Sequence, residues 1–322
     1  MSQPETIVTR VHSITWAAED ILLFDLRPPA RDLALPGFTA GAHIDLHLPG
    51  GLVRSYSLIN PQGETHRYVI AVNKDSASRG GSRYLHEAAR VGDCMTIGRP
   101  RNNFELAEDA PHSVLIAGGI GVTPLWCMVQ RLAQLGMSWQ LYYCARTRDQ
   151  AAFLDEIESL GRRAGARLVL NFDHEPGGKI LDLQAVMHDA PRKAHVYCCG
   201  PSAMLAAFQE ASTGWPQEQI HLEYFSASTP AATSGGYTVV LARSQVTLFV
   251  KEGMTILDTL LEHGIDVPFS CAEGVCGSCE TTVLDGVPDH RDVILTDTER
   301  RAGRTMMICC SGCKSKELVL DL

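Results

Sequence analysis

Four cysteines carry the strongest chemical signal in this 322-residue chain. Cys271, Cys276 and Cys279 are separated by four and two residues, and Cys309 follows after 29 more. This is the spacing of plant-type [2Fe-2S] sites, in which two irons take four thiolates arriving from different directions. One tight loop can supply three of them if its backbone turns without side-chain crowding, and Gly274 and Gly277 give that freedom. Amides between Ala272 and Ser278 would donate to the sulfurs and set the reduction potential. Structural zinc is the competing reading. It pairs Cys-x2-Cys with a second such pair or with histidines, and the four-residue gap does not fit. Cys310 adjoins Cys309 and Cys313 lies close by. Neighbours in a strand point to opposite faces, so Cys309 is the expected fourth ligand and the other two are expected to pack.

Two further groups suggest bound cofactors. The apolar run SVLIAG leads into Gly118, Gly119, Ile120, Gly121, Val122, Thr123 and Pro124. Glycines there let phosphate oxygens approach the backbone at the start of a helix, although a structural strand-to-helix turn has the same look. A second apolar run ends in Cys198, Cys199, Gly200 and Pro201, expected beside the first across the top of a parallel sheet. Cys199 reads there either as a buried small hydrophobe or as a group at the ligand. Earlier, Arg54, Ser55, Tyr56 and Ser57 put a cation, hydroxyls and an aromatic ring on one short strand, suited to an anionic cofactor with a flat ring.

Three modules must position these groups. Short β-rich runs (HIDLHL, SYSLI, RYVIAV) broken by Gly and Pro predict an antiparallel β-barrel over residues 1–109. Buried-type strands SVLIAG, WQLYYCA, ARLVLNF and AHVYCCG, alternating with helices TPLWCMVQRLAQLG and SAMLAAFQEAS, predict an α/β domain with a parallel sheet over 110–227. Small polar residues over 228–236 read as a linker, and 237–322 as an α+β unit with a YTVVLA/VTLFV hairpin, a TILDTLLEHG helix and the cysteine loop. A net charge of -9 excludes a nucleic-acid surface. The acidic C-terminal quarter reads as a solvated face or as steering for a basic partner. Eleven cysteines without a secretion signal read as ligands, redox groups and buried hydrophobes rather than disulfides. With no apolar run long enough to span a bilayer, a cytoplasmic location and no membrane partner are expected.

With RSYSL at 54–58, RGGS at 79–82, GGIGVTP at 118–124, YCCGP at 197–201, HLEYF at 221–225 and CAEGVCGSC at 271–279, the chain closely resembles the phthalate dioxygenase reductase family of the ferredoxin-NADP reductase superfamily. The resemblance covers nearly the whole chain. It implies the order flavin barrel, NAD domain, β-grasp-like ferredoxin domain, with FMN, NADH and [2Fe-2S] as cofactors. It implies Arg54, Ser55, Tyr56 and Ser57 at the flavin, Ala71, Val72 and Asn73 along its edge, and Gly80, Gly81 and Ser82 at its phosphate. Gly118, Gly119, Gly121, Thr123, Cys199, Gly200 and Pro201 would surround the dinucleotide, with Thr123 and Phe225 toward the flavin ring. Asp173 would disfavour a 2′-phosphate, or is a surface acid. The family's usual ending has one cysteine where this chain carries Cys309, Cys310 and Cys313. The implied function is an NADH-dependent oxidoreductase that feeds electrons to a Rieske-type aromatic oxygenase, a ring dioxygenase or an O-demethylase. A flavin is the converter such a chain needs, because hydride carries two electrons and the cluster accepts one. No acid-base pair or nucleophile is assigned. The rival classes are a stand-alone flavin or quinone reductase and a non-enzymatic redox carrier.

Overall fold

Six strands with apolar residues on their inward positions make the first sheet. In the computed structural model, which describes residues 6–30, 32–76, 78, 80–225 and 229–322, these are β1 (Thr6–Ala18), β2 (Ile21–Arg27), β3 (His43–Leu48), β4 (Leu52–Ser57), β5 (Tyr68–Asn73) and β6 (Cys94–Gly98), with α1 (Gly81–Glu87) between the last two. They lie in the order β4-β3-β6-β1-β2-β5 with antiparallel pairing. A bridge between Leu58 and Ile70 brings the β4 and β5 ends together and closes the sheet into a barrel. Arg79 of the RGGS motif, and residues 226–228 where the expected linker begins, lie outside the described residues.

A parallel sheet follows, built from near-continuous apolar strands because helices cover its faces. It comprises β7 (Ser113–Gly118), α2 (Val122–Leu135), β8 (Trp139–Ala145), α3 (Leu154–Ala164), β9 (Arg167–Phe172), α4 (Leu183–Asp189), β10 (His195–Cys199), α5 (Ser202–Ala211) and β11 (Ile220–Glu223). The strand order is β11-β10-β7-β8-β9, so the chain winds outward from β7 and then returns to its other side. The switch point therefore falls between β7 and β10, where ligands bind in open α/β sheets. Helix α2 ends at Gly136, whose φ of 68° supplies the left-handed cap.

Barrel and parallel sheet belong to one packing unit that runs through Glu223. A single core extends from Val11 and Phe24 to Tyr143 and Tyr197. The joint is also polar: Gln130 Nε2 on α2 donates to the Ile59 carbonyl (2.8 Å), the Cys127 thiol donates to the Asn60 carbonyl (3.3 Å), and Arg131 grips Glu108 through two bonds of 2.7 Å.

At one edge of the parallel sheet, His221 stacks on Tyr197 with ring centroids 4.4 Å apart, and one imidazole of the His195–His221 pair donates to the other at 2.9 Å. Burial, and secondarily the charge of His195, lower His221 to about 4 from its ordinary 6.5. A depressed histidine contributes stability that is complete above pH 6.5 and is lost as pH falls toward 4, at most about 3 kcal/mol before solvent screening. Urea unfolding of His221→Gln should show a flatter loss of stability between pH 7 and 4 than the parent. Parallel pH profiles would assign the acid sensitivity elsewhere.

The second unit, Tyr224–Leu322, has its own core. It contains β12 (Tyr237–Leu241), β13 (Val246–Val250), α6 (Ile256–Glu262), β14 (Glu280–Asp285), β15 (Pro288–Asp289), α7 (Asp297–Ala302), β16 (Thr305–Met307), β17 (Gly312–Cys313) and β18 (Glu317–Leu320). The main sheet runs β13-β12-β18-β14-β16, with β12 and β18 parallel and the other pairs antiparallel, a β-grasp-like arrangement. Helix α6 starts on a Thr255/Asp258 capping box and buries Ile256, Leu257 and Leu260.

Candidate functional site

The cysteine loop lies between α6 and β14, and Cys309 sits in the turn that leaves β16. Positive φ at Ala272 (54°), Gly274 (72°) and Gly277 (75°) coils the loop tightly, which two glycines make possible. Cys271, Cys276, Cys279 and Cys309 are all buried, at 3–7% exposure. Their sulfurs approach one another: the Cys276 and Cys309 thiols donate to Cys271 and hold it well below its usual range, and Cys279 is likewise lowered by Cys309. The Glu273 amide donates to Cys271 Sγ at 3.3 Å. Buried sulfurs from two segments, with Cys271 beside Cys276 and Cys309 and Cys279 beside Cys309, screened from water and met by a loop amide, fit the ligand pattern of a two-iron cluster.

The strand expected around Cys309 is a correction. Strand β16 stops at Met307, and residues 308–310 form a turn in which the Cys310 and Ser311 amides both donate to the Met307 carbonyl (3.2 and 2.9 Å). Strand alternation therefore does not separate Cys309 from Cys310. The turn brings Cys309 beside Cys271 and Cys279 and also beside its neighbour Cys310, whose Sγ lies against Gly274, where a Cβ would overlap it. Cys313 is occupied elsewhere, its thiol donating to the Ser315 carbonyl at 3.0 Å.

At the switch point the two glycine turns touch. A Cβ on Gly118 would lie 2.7 Å from Pro201 Cδ, one on Gly200 would lie 3.1 Å from Gly118 Cα, and one on Gly121 would overlap the Cys199 carbonyl oxygen. Gly119 takes a φ of 54° in the turn, and the buried Thr123 closes it by donating to the Ile120 carbonyl (2.9 Å). Cys198 and Cys199 are buried at 0% and 1%, and burial pushes both thiols up, so neither is a thiolate at neutral pH. Asp173 follows β9 with its amide on the Ala145 carbonyl (3.2 Å), and its Oδ1 is buried without a hydrogen-bond partner.

The barrel residues gather beside those turns. On β4, Arg54 lies over Gly81, where a Cβ would come within 2.7 Å of Arg54 Cγ. Burial raises the Tyr56 hydroxyl to about 12 against the opposing pull of Arg54, which shares its side of the strand. Ser55 points the other way and donates to Asp45 at 2.7 Å, and Ser57 is buried opposite His43. Gly80 (φ 102°) precedes Gly81 and Ser82, and Ser82 Oγ donates to Ser78 Oγ at 2.9 Å. Ala71 and Val72 bury their side chains in β5 while Asn73 is exposed at its end. His86 Nε2 bonds the Val72 carbonyl (2.9 Å) and so ties α1 to β5. Strand β5 contacts the Gly119–Gly121 turn, which joins the barrel group to the glycine turns. Phe225 belongs to the second unit and is 41% exposed.

Sequence reasoning passed over Glu223. It pairs with Cys199 across β10 and β11, and burial raises its carboxyl to about 8, which leaves it protonated at pH 7. The signal was present in HLEYF, where an acid ends a strand that pairs with one buried at every position after His195.

The comparisons agree with this arrangement. Residues 115–210 match the oxidoreductase NAD-binding domain family and residues 239–314 the 2Fe-2S iron-sulfur cluster binding domain family. The chain is 56% identical to phenoxybenzoate dioxygenase subunit beta of Ectopseudomonas oleovorans, over 97% of this chain and 96% of that one. It is 52% identical to tetrachlorobenzoquinone reductase of Sphingobium chlorophenolicum over 100% of both. The solved structure of phthalate dioxygenase reductase, described as modular for electron transfer from pyridine nucleotides to [2Fe-2S], superposes with a TM-score of 0.77 at 38% identity, covering 98% of each chain. Barrel, parallel sheet and cysteine-bearing β-grasp unit thus occur in the same order along the whole length, and the chain belongs to the phthalate dioxygenase reductase family.

Proposed function

We propose that the protein is the NADH-dependent reductase of an oxygenase system, passing electrons from NADH through FMN and [2Fe-2S] to a Rieske-type aromatic oxygenase. When bound, the flavin and the cluster supply the conversion of a two-electron hydride into single electrons. The observation that carries the reading is the contact of β5 with the Gly119–Gly121 turn inside one packed unit, which sets the barrel residues beside the glycine turns at the switch point.

In this reading Arg54 and Tyr56 hold the flavin ring with their side chains and Ser57, turned like Ser55 to the other face of the strand, through its backbone, with Gly80, Gly81 and Ser82 at the phosphate and Ala71, Val72 and Asn73 along one edge. Ser55 serves the strand through Asp45. Gly118, Gly119, Gly121, Thr123, Cys199, Gly200 and Pro201 hold NADH. The half-buried Asp173, placed after β9, opposes a second anion on the ribose and favours NADH over NADPH. Cys271, Cys276, Cys279 and Cys309 ligate the cluster. The three functional modules correspond to 1–109, 110–227 and 237–322, with 228–236 as linker. No helix among the described residues is long and apolar enough to cross a membrane, and the cytoplasm is the proposed location.

Heat release of the chromophore, with its mass determined, tests the flavin assignment: FMN is expected, and FAD would overturn it. A second reading, direct reduction of a quinone, is favoured by the full-length similarity to a tetrachlorobenzoquinone reductase. Quinone turnover that survives removal of the cluster would establish it.

A further inference from the structure

A segment without any candidate ligand runs between the two cysteine-bearing segments, and Asp292 is its hub. The Asp292 side chain is 0% exposed. Its Oδ2 accepts from the amides of Ile294 (3.1 Å) and Leu295 (2.8 Å), and Ser311 Oγ lies 3.5 Å from Oδ1. Arg300 brings Nη2 to 3.8 Å from Oδ2 and donates to the Asp292 carbonyl, and His290 Nδ1 is 3.8 Å from Oδ1.

Both ligand segments are tied to this hub. On one side the Val293 amide donates to the Gly274 carbonyl (3.0 Å), inside the loop between Cys271 and Cys276, and a Cβ on Gly274 would lie 3.0 Å from Asp292 Cα. On the other side Ser311, two residues beyond Cys309 and 0% exposed, accepts from the Arg291 amide (3.1 Å). The neighbouring charges Arg291 and Lys314 are engaged with Asp289 at 2.7 and 3.8 Å, which leaves Arg300 as the cation nearest the Asp292 carboxylate among these pairs.

We propose that Asp292 is a positioning residue of the [2Fe-2S] centre, fixing the loop of Cys271–Cys279 against the turn of Cys309, and that its pairing with the partly exposed Arg300 tunes the reduction potential of the cluster. The inference rests on the cluster reading above. Adding an electron is favoured by a nearby cation and opposed by a nearby anion, and a water-poor site lets either be felt over a longer distance.

The test is a redox titration of the purified full-length protein followed by electron paramagnetic resonance, with iron counted on each sample. Asp292→Asn removes the anion and leaves Arg300, so its midpoint moves to more positive potential. Arg300→Gln leaves the carboxylate uncompensated, so its midpoint moves to more negative potential. Arg300→Lys keeps the charge and stays near the parent. A purely structural role gives no such opposition of sign, and two variants that retain their iron yet shift together, or not at all, overturn the proposal. If Asp292→Asn loses iron, the Arg300→Gln and Arg300→Lys pair decides by the same sign. A parent protein without a [2Fe-2S] signal overturns the cluster reading itself, and is distinguished by its iron count.

Discussion

Replacing Cys279 by serine removes the reduced-cluster signal and lowers electron delivery to a one-electron acceptor such as cytochrome c by more than ~100-fold, while NADH still bleaches the flavin. The structural reason is that Cys279 is 4% exposed and its sulfur faces Cys309, so a serine hydroxyl of nearly the same size keeps the packing and loses the thiolate. Because Cys279 lies in the second unit, with its own core, the unit that ends at Glu223 should keep its flavin and its NADH affinity. Stopped-flow reduction by NADH and steady-state cytochrome c reduction, measured on the same preparation, separate the two effects. A variant that retains two irons and the parent's cytochrome c rate would remove Cys279 from the ligand set.

Gly121→Ala has the second largest expected effect, at the other end of the relay. The added Cβ would overlap the Cys199 carbonyl oxygen and come within 2.8 Å of the Gly200 nitrogen. Both obstacles are backbone and cannot swing aside, so the GGIG and CCGP turns must separate. A displacement on the order of 1 Å at a bound reactant costs up to about 100-fold in rate, and the loss should fall on kcat/KM for NADH with flavin and iron contents unchanged. Unaltered NADH kinetics would show that the two turns do not share one dinucleotide.

Much of this arrangement is legible in the sequence because it depends on short-range pattern. Ligand spacing in the cysteine loop is local, and Gly274 and Gly277 take the left-handed backbone that their positions suggest. Continuous apolar runs such as SVLIAG and WQLYYCA mark strands buried on both faces, and strand β7 is buried at all six positions. Residues whose role depends on distant partners were not legible. The 13-residue β1 mixes polar and apolar residues on both faces, with Val8 and Trp16 exposed and Thr9 buried, and lacks a recognisable apolar run. Ser55 shares a motif with Arg54 and Tyr56 but faces Asp45, a direction set by strand alternation and by a partner ten residues away. Cys309 and Cys310 were expected in a strand, and the chain instead turns after Met307, so the direction of each sulfur follows from turn geometry. Asp292 and Glu223 gain their character from burial, which no local pattern reports.

The most direct test of the whole account is an anaerobic titration of the purified protein with NADH, recording absorbance and electron paramagnetic resonance and counting flavin and iron on the same sample. The account predicts one FMN and about two irons per chain, with flavin bleaching and a reduced [2Fe-2S] signal developing together. Flavin that bleaches with no cluster signal and no iron would contradict it, leaving a simple flavin reductase and returning the four cysteines to zinc.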